Sequence, residues 1–147
     1  MITEINKNKK AFFDYEIIES FEAGLVLTGQ EIKQIRAKNV NLQGSYIKIL
    51  NDHGKPTLFA ININISKTSE PTRTRKLLLH KKEIISLMIR MEQKKLTLVP
   101  LSLYLKNGQW AKIQVGLARG RKHQDKRQLL KERDQRREAD RAIRERY

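Results

Sequence analysis

Side chains that can bind a polyanion dominate the chemistry of this sequence. The 147-residue chain has 31 Lys and Arg residues against 16 Asp and Glu, which gives a formal net charge of +15. A field of this strength attracts polyanions, and nucleic acid is the commonest such partner. The densest basic stretch, VGLARGRKHQDKR at residues 115–127, follows the last apolar alternation of the chain. We therefore expect a nucleic-acid-binding protein.

Residue patterns typical of catalysis or metal binding are missing from the sequence. The histidines, at His53, His80 and His123, have no second His at ligand spacing, and the chain has no Cys. Phosphate-loop and serine-nucleophile motifs are absent, and most carboxylates adjoin basic residues, which favours ion pairing over acid catalysis. We expect no catalytic residue, no metal site and no cofactor.

Two further groups of side chains suit RNA recognition. Tyr104 and Trp110 can stack on RNA bases or can cover a face of the fold, and we favour the covering role. Basic side chains near helix ends and loops commonly contact phosphates, although any one of them is as often merely solvated. The candidates for phosphate contacts are Lys33, Arg36, Arg73, Arg75 and Lys76.

Two helices are predicted in the body of the chain. Thr28 followed three residues later by Glu31 is a capping box and starts a short helix, for which Asn39 is a left-handed end. A second helix is expected from residue 78 or 80 to about residue 92. Its apolar residues recur at the spacing of one helical face: Ile84, Leu87, Met88 and Met91.

Alternation and turn signals predict three hairpins. Their strands are residues 15–20 with 25–27, 45–50 with 57–65, and 96–105 with 110–115. In the last hairpin, a three-residue loop at 106–108 with Gly108 left-handed puts both apolar sets on one face. It pairs Leu105 with Gln109, Leu103 with Ala111 and Leu101 with Ile113, and sets Tyr104 beside Trp110.

The predicted fold class is mainly β: a small antiparallel barrel of the oligonucleotide-binding (OB) type, closed or partly open, with two to three short helices. An open sheet with helices on one face is the alternative. Residues 1–118 are expected to form an RNA-binding barrel. Residues 119–147 hold 12 basic and 6 acidic residues and are expected to form a basic, helix-prone tail, disordered or partly helical when free. The sequence shows neither a signal peptide nor an apolar run of membrane-spanning length, so a cytoplasmic location is expected.

An ordered set of motifs along the chain resembles the SsrA-binding protein family, also called small protein B. The motifs are NKKA at 8–11, DY at 14–15, FEAGLVLTGQEIK at 21–33, NL at 41–42, SY at 45–46, RTRKLLLH at 73–80, LVPL at 98–101, GLARG at 116–120 and DKR at 125–127. Each motif is weak alone, but the set covers nearly the whole chain in the family's order.

The resemblance implies a non-enzymatic adaptor that binds the tRNA-like domain of transfer-messenger RNA and brings it to stalled ribosomes. Elongation factor Tu is implied as an indirect partner through the RNA, and the chain is expected to act as a monomer without membrane contact. The family's tail enters the empty message channel and folds there as a helix. A basic ribosomal or ribosome-assembly protein that binds rRNA is the alternative.

The resemblance also implies site residues. For the tRNA-like domain they are Asn8, Lys10, Glu31, Lys33, Arg36, Arg73, Arg75 and Lys76. For the ribosome-binding tail they are Arg119, Gly120, Arg121, Lys122, His123, Asp125, Lys126 and Arg127. Of these, Gly120, Asp125, Lys126 and Arg127 match the family's junction motif, which touches the ribosomal decoding centre. Family members often have His directly before the DKR triplet, whereas here Gln124 takes that position and His123 precedes it. A shift of one residue rotates a helical side chain by about 100°.

Overall fold

The computed structural model describes residues 1–121 and 123–146, except the side chains of 123–126 and 139–146. The strands are β1 (Ile2–Lys7), β2 (Tyr15–Leu25), β3 (Val40–Asn41), β4 (Tyr46–Asp52), β5 (Lys55–Ile61), β6 (Asn64–Ile65), β7 (Arg75–Leu78), β8 (Thr97–Lys106) and β9 (Trp110–Gly120). The helices are α1 (Lys9–Asp14), α2 (Gly29–Arg36), α3 (Lys81–Lys94) and α4 (His123–Arg146).

Seven antiparallel strands form one sheet in the order β1-β8-β9-β2-β7-β5-β4, and β3 pairs with β6 separately. In the described ladders the edge strands β1 and β4 do not pair with each other, so hydrogen bonds do not close the barrel. The main core contains residues of the inner sheet face together with residues of α2 and α3. The prediction of a mainly β, antiparallel fold is confirmed.

A bulge in β8 gives the sheet a second, smaller core. Pro100 pairs with Val115 and Ser102 with Gln114, so Leu101 is the extra residue between them. Such a bulge changes the face on which a side chain lies. Leu101 therefore leaves the face of Leu103 and packs under α1 with Ala11, contrary to the prediction that the leucines share one face. The close approach of Leu101 also explains Gly116, where an added Cβ would lie 3.0 Å from a Leu101 methyl carbon.

The first predicted hairpin is wrong, because residues 15–25 form one continuous strand that pairs with β9. Local turn residues at 22–24 give way to this long-range pairing, in which Ala23 is buried in the core. Gly24 has a packing role instead of a turn role. The side chains of Leu78 and Lys112 lie 3.4–3.5 Å from where its Cβ would be.

The second predicted hairpin is present, but its turn is tighter and its second strand ends earlier than predicted. Asp52 pairs with Lys55 around His53 and Gly54, which both have positive φ. The predicted strand over 57–65 is interrupted at Asn62, whose φ is 65°. Asn tolerates this left-handed conformation, so the alternating pattern is divided between β5 and β6.

The third predicted hairpin has a three-residue loop as expected, but the loop is residues 107–109. Lys106 therefore pairs with Trp110, and Leu105 with Ala111. This register differs from the predicted one by two residues, so the apolar sets still share a face. Asn107 and Gly108 both have positive φ, which confirms Gly108 and adds a second left-handed residue. Tyr104 is opposite Lys112, so the prediction that Tyr104 stands beside Trp110 is wrong.

The helix predictions are largely confirmed. Thr28 and Glu31 form the capping box, with bonds of 3.2 and 2.9 Å. The left-handed residue after α2 is Lys38 rather than Asn39, whose side-chain amide instead donates to Gln34. The apolar stripe of α3 is buried or half-buried apart from Met88, which is 43% exposed. Strand β1 and helix α1 were not predicted.

The predicted end of the body at residue 118 falls inside β9. Gly120 still pairs with Tyr15, and the Arg121 N–H donates to the Asp14 carbonyl at 2.9 Å. The described part of the tail continues as one helix, α4. The division of the chain into an RNA-binding barrel and a tail with a separate task stays a prediction.

Candidate nucleic-acid interface

A basic groove lies between α1 and residues 41–43 at the end of β3. Its lining residues are Lys7, Asn8, Lys9, Lys10, Asn41 and Gln43. Asn8 is buried and fixes one wall, because its side chain caps α1 at Ala11 and donates to the Pro100 carbonyl at 2.9 Å. Leu42 N–H donates to the Asn6 side chain at 3.0 Å and holds the other wall against β1. We call this depression the basic groove.

The predicted residues Asn8 and Lys10 both line this groove, but only Lys10 is accessible to a ligand. The amide of Asn8 is occupied by protein partners, so Asn8 positions α1, whereas Lys10 is exposed. Sequence reasoning missed Lys7, Lys9, Asn41 and Gln43. An Asn before a short helical segment is a capping signal and would have revealed α1.

Lys33 and Arg36 lie exposed on α2. The Arg36 Nε donates to the Gly108 carbonyl at 3.1 Å, which ties the end of α2 to the β8–β9 loop. Helix α2 leads through residues 37–39 into β3, whose Asn41 lines the basic groove. The exposed basic residues of α2 are thus connected to the groove by a short segment of chain.

Glu31 and Arg75, predicted to face RNA, are buried instead. Arg75 is 0% exposed and Glu31 is 3% exposed. One carboxylate oxygen of Glu31 accepts from Arg75 Nε at 2.5 Å, and the other accepts from Arg73 at 2.6 Å. Arg75 also donates to the carbonyls of Ile63 and Pro71, at 2.7 and 3.1 Å. This buried ionic cluster joins α2, the 63–73 loop and β7, so we interpret Glu31 and Arg75 as residues that position the surface.

The buried cluster fixes the charge of Glu31. Burial alone would raise the pKa of this carboxyl group, but hydrogen bonds from Arg73, the Thr28 N–H and Arg75 outweigh burial. The net effect lowers the pKa of Glu31 from 4.5 to about 2. The two remaining predicted residues of this region are more accessible: Arg73 is half-buried, and exposed Lys76 is 3.4 Å from Asp52.

The predicted residues of the ribosome-binding tail are spread over two elements. Arg119 and Gly120 are exposed at the end of β9, Arg121 is half-buried, and Arg127 is exposed on α4. Lys122 lies outside the described residues, as do the side chains of His123, Asp125 and Lys126. The question of whether His123 replaces the histidine expected at Gln124 therefore also lies outside them.

Helix α4 contacts α1 near Leu129 and Leu130. An open pocket between the two helices is lined by Phe12 and Phe13 of α1, by Leu129 and Leu130 of α4, and by charged side chains of both helices. Phe12 and Leu130 are each 39% exposed. The apolar part of the contact is therefore incompletely covered.

A second polar network lies on the outer sheet face. Tyr104 is 8% exposed, and its hydroxyl donates to Glu22, which also accepts from Lys106 at 3.0 Å. Beside them the Gln114 amide donates to Ser20 at 2.8 Å. Tyr104 is thus buried in the covering role favoured above, whereas Trp110 is 62% exposed on the same face.

The described part of the chain also bears on metal binding and membrane insertion. The described His, Asp and Glu side chains form no group suited to hold a metal ion. Among the described helices, none is long and apolar enough to cross a membrane. The arrangement is that of an electropositive binding surface.

This fold and surface define a class of protein: strongly basic and mainly β, with a basic groove and a basic C-terminal helix. The model of the SmpB family, described as SmpB protein, matches residues 5–145. The chain belongs to the SmpB family.

Curated relatives match over almost the full length. The SsrA-binding protein of Thermosynechococcus vestitus is 50% identical over 99% of this chain and 97% of that protein. The SsrA-binding protein of Shouchella clausii is 49% identical over 97% of this chain and 92% of that protein. A solved structure described as "tmRNA-SmpB: a journey to the center of the bacterial ribosome" is similar, with a TM-score of 0.63, 43% identity and coverage of 80% of this chain and 84% of that chain.

Proposed function

We propose that this protein binds the tRNA-like domain of transfer-messenger RNA and acts as a non-enzymatic adaptor in the rescue of stalled ribosomes. The observation that carries the proposal is the SmpB family match over residues 5–145. The names of the relatives and the description of the similar structure point to the same RNA and to the ribosome. The protein works in the cytoplasm, as a monomer, and meets elongation factor Tu only through the RNA.

The basic groove, together with Lys33 and Arg36 on α2, faces the tRNA-like domain. Lysines and arginines here neutralise phosphates, and the resulting release of counterions makes the affinity depend on salt. Arg73 and Lys76 extend the contact, while Asn8, Glu31 and Arg75 hold the elements that present it. The RNA contact is thus made by side chains that a buried framework keeps in place.

The end of β9 and α4 face the ribosome. Arg119 and Gly120, at the end of β9, lie near the decoding centre, and the charged helix α4 enters the message channel. Residues from Arg119 onward carry a formal charge of +6 from 12 basic and 6 acidic residues, which suits a channel lined by rRNA phosphates. The apolar contact of α4 with α1 gives way when the helix enters the channel.

RNA affinity separates this function from that of a general rRNA-binding protein. The tRNA-like domain is expected to bind more tightly than an rRNA fragment of equal length at the same salt concentration. Lys9→Ala with Lys10→Ala should weaken binding, and Lys81→Ala with Lys82→Ala is the matched control, because both pairs are adjacent exposed lysines. Equal affinity for both RNAs, or equal effects of both pairs, would contradict the proposal.

Tagging of stalled nascent chains tests the tail. A stop after Ala118 would remove the last ladder pairs of β9, so the chain is ended after Arg121, whose N–H still bonds to Asp14. We expect this shortened chain to bind the tRNA-like domain and to fail in tagging with purified components. Loss of RNA binding in this variant would contradict the division of tasks.

A further inference from the structure

We infer that Trp110 stacks on an unpaired nucleobase of the bound RNA. The inference rests on the proposed function and adds a recognition residue to it. Trp110 is the first residue of β9 and lies on the outer sheet face with 62% of its surface exposed. A single exposed apolar residue is ordinary on a protein surface. The argument therefore depends on how Trp110 is held and on what surrounds it.

The backbone before Trp110 is held from two sides. Arg36 on α2 donates to the Gly108 carbonyl at 3.1 Å. The amino group of Met1 donates to the Asn107 side chain at 2.9 Å, and the Asn107 N–H donates to the Met1 carbonyl at 2.8 Å. Trp110 itself pairs with Lys106 in the ladder. A large ring on a fixed backbone loses little conformational entropy on binding, which favours stacking.

The side chains around Trp110 suit a nucleic acid. Lys106 is opposite Trp110, and Lys112 follows two residues later on the same face. Arg36, a predicted RNA residue, reaches the same loop. An aromatic ring set among basic side chains is the arrangement by which sheet faces bind single-stranded nucleic acid, with the bases stacked and the phosphates neutralised.

The ring faces of Trp110 are not taken by the neighbouring cations. Lys106 is directed to Glu22, where its ammonium group lies 3.0 Å from the carboxylate. Within the described residues, the cation–π contact that occurs joins Lys7 and Phe12. A second copy of this chain is a poor occupant because two molecules of charge +15 repel each other. A nucleobase therefore fits the site better than a protein of the same charge.

Intrinsic fluorescence tests the inference directly, because Trp110 is the single tryptophan of the chain. The full-length protein is titrated with the tRNA-like domain while the anisotropy of labelled RNA reports binding. We expect the tryptophan emission to be quenched and its accessibility to acrylamide to fall, with the same midpoint as the anisotropy change.

Variants give the second readout. Trp110→Ala should weaken RNA binding on the order of 10-fold, and Trp110→Phe should weaken it less, because a stacking ring remains. Neither variant should change the slope of log affinity against log salt concentration. Lys10→Ala should reduce that slope by about one, because one phosphate contact is lost. Ile89→Ala is the control, since Ile89 is a comparably exposed apolar side chain on α3. Thermal unfolding of each variant verifies that it is folded.

The inference and the proposed function fail in different ways. If wild-type protein does not bind the tRNA-like domain, the proposed function is wrong. If it binds while Trp110→Ala keeps full affinity and no quenching occurs, the stacking inference is wrong and the function stands. Loss of ribosome binding alone in Trp110→Ala, with RNA affinity unchanged, would assign the residue to a ribosomal contact and would also overturn the inference.

Discussion

Two carboxylates, Glu31 and Glu22, have similar partners in very different surroundings. Each accepts hydrogen bonds from two side chains: Glu31 from Arg73 and Arg75, and Glu22 from Tyr104 and Lys106. The side chain of Glu31 is 3% exposed, whereas that of Glu22 is 33% exposed. The same kind of polar cluster thus occurs once inside the protein and once on the outer sheet face.

Burial decides what each cluster contributes. Removing one partner from a buried ion pair leaves an uncompensated charge, whereas an exposed pair is well solvated and stabilises little. Glu31 binds Arg73 and Arg75, which follow it by 42 and 44 residues, and Arg75 also binds the Ile63 carbonyl, so the charge of Glu31 stabilises the fold that presents the proposed RNA surface. Hydrogen bonds from Tyr104 and Lys106 also lower the pKa of Glu22, but this network joins β2 and β8, which are each already paired with β9 between them.

The largest expected effect is that of Glu31→Gln. The substitution keeps the shape of the side chain and removes the charge that Arg75 and Arg73 share. The lowered pKa of Glu31, from 4.5 to about 2, corresponds to about 3 kcal/mol of stability at neutral pH. Urea unfolding at pH 7 should show a loss of this size. A loss no greater than that of Glu22→Gln would contradict the distinction between the two clusters.

The pH dependence of stability sharpens the same comparison. Because the folded-state pKa of Glu31 is below its unfolded value of 4.5, its contribution is complete above about pH 4.5 and is lost as the pH falls through about 2. The wild-type free energy of unfolding should therefore approach that of Glu31→Gln between these pH values. Parallel curves for the two proteins across this range would show that Glu31 is not held ionised by its arginine partners.

Local motifs were the predictable part of the molecule. The capping box of Thr28 and Glu31 depends on residues three apart, and the structure has it as the sequence predicts. The alternation in β8 and β9 likewise predicted the shared face of Leu103, Leu105 and Ala111. Turn residues at 22–24 were misleading, because pairing with β9, about 90 residues away, overrides them.

The candidate site was predictable in its residue types more than in their roles. Basic residues in RTRK at 73–76 indicate phosphate binding. Arg75 is nevertheless buried, and it donates to the carboxylate of Glu31, 44 residues earlier in the chain. The spacing of the two residues contains no sign of this contact, because it depends on the tertiary fold. In the same way the burial of Tyr104, on the same face as exposed Trp110, depends on its bond to Glu22 from a distant part of the chain.

The smallest expected effect is that of Glu22→Gln. Since the carboxylate is partly exposed and its lysine partner is solvated, the free energy of unfolding should fall by less than about 1 kcal/mol. Burial, and then the hydrogen bond and negative charge of Glu22, raise the pKa of Tyr104, so the variant should lower that pKa while leaving it above the ordinary value of 10.0. Absorbance titration of the tyrosines, with Tyr104→Phe to assign the signal, measures the change. An unchanged pKa of Tyr104 would mean that burial alone sets it, and a loss of stability near that of Glu31→Gln would mean that the outer-face network stabilises the fold as much as the buried ionic cluster does.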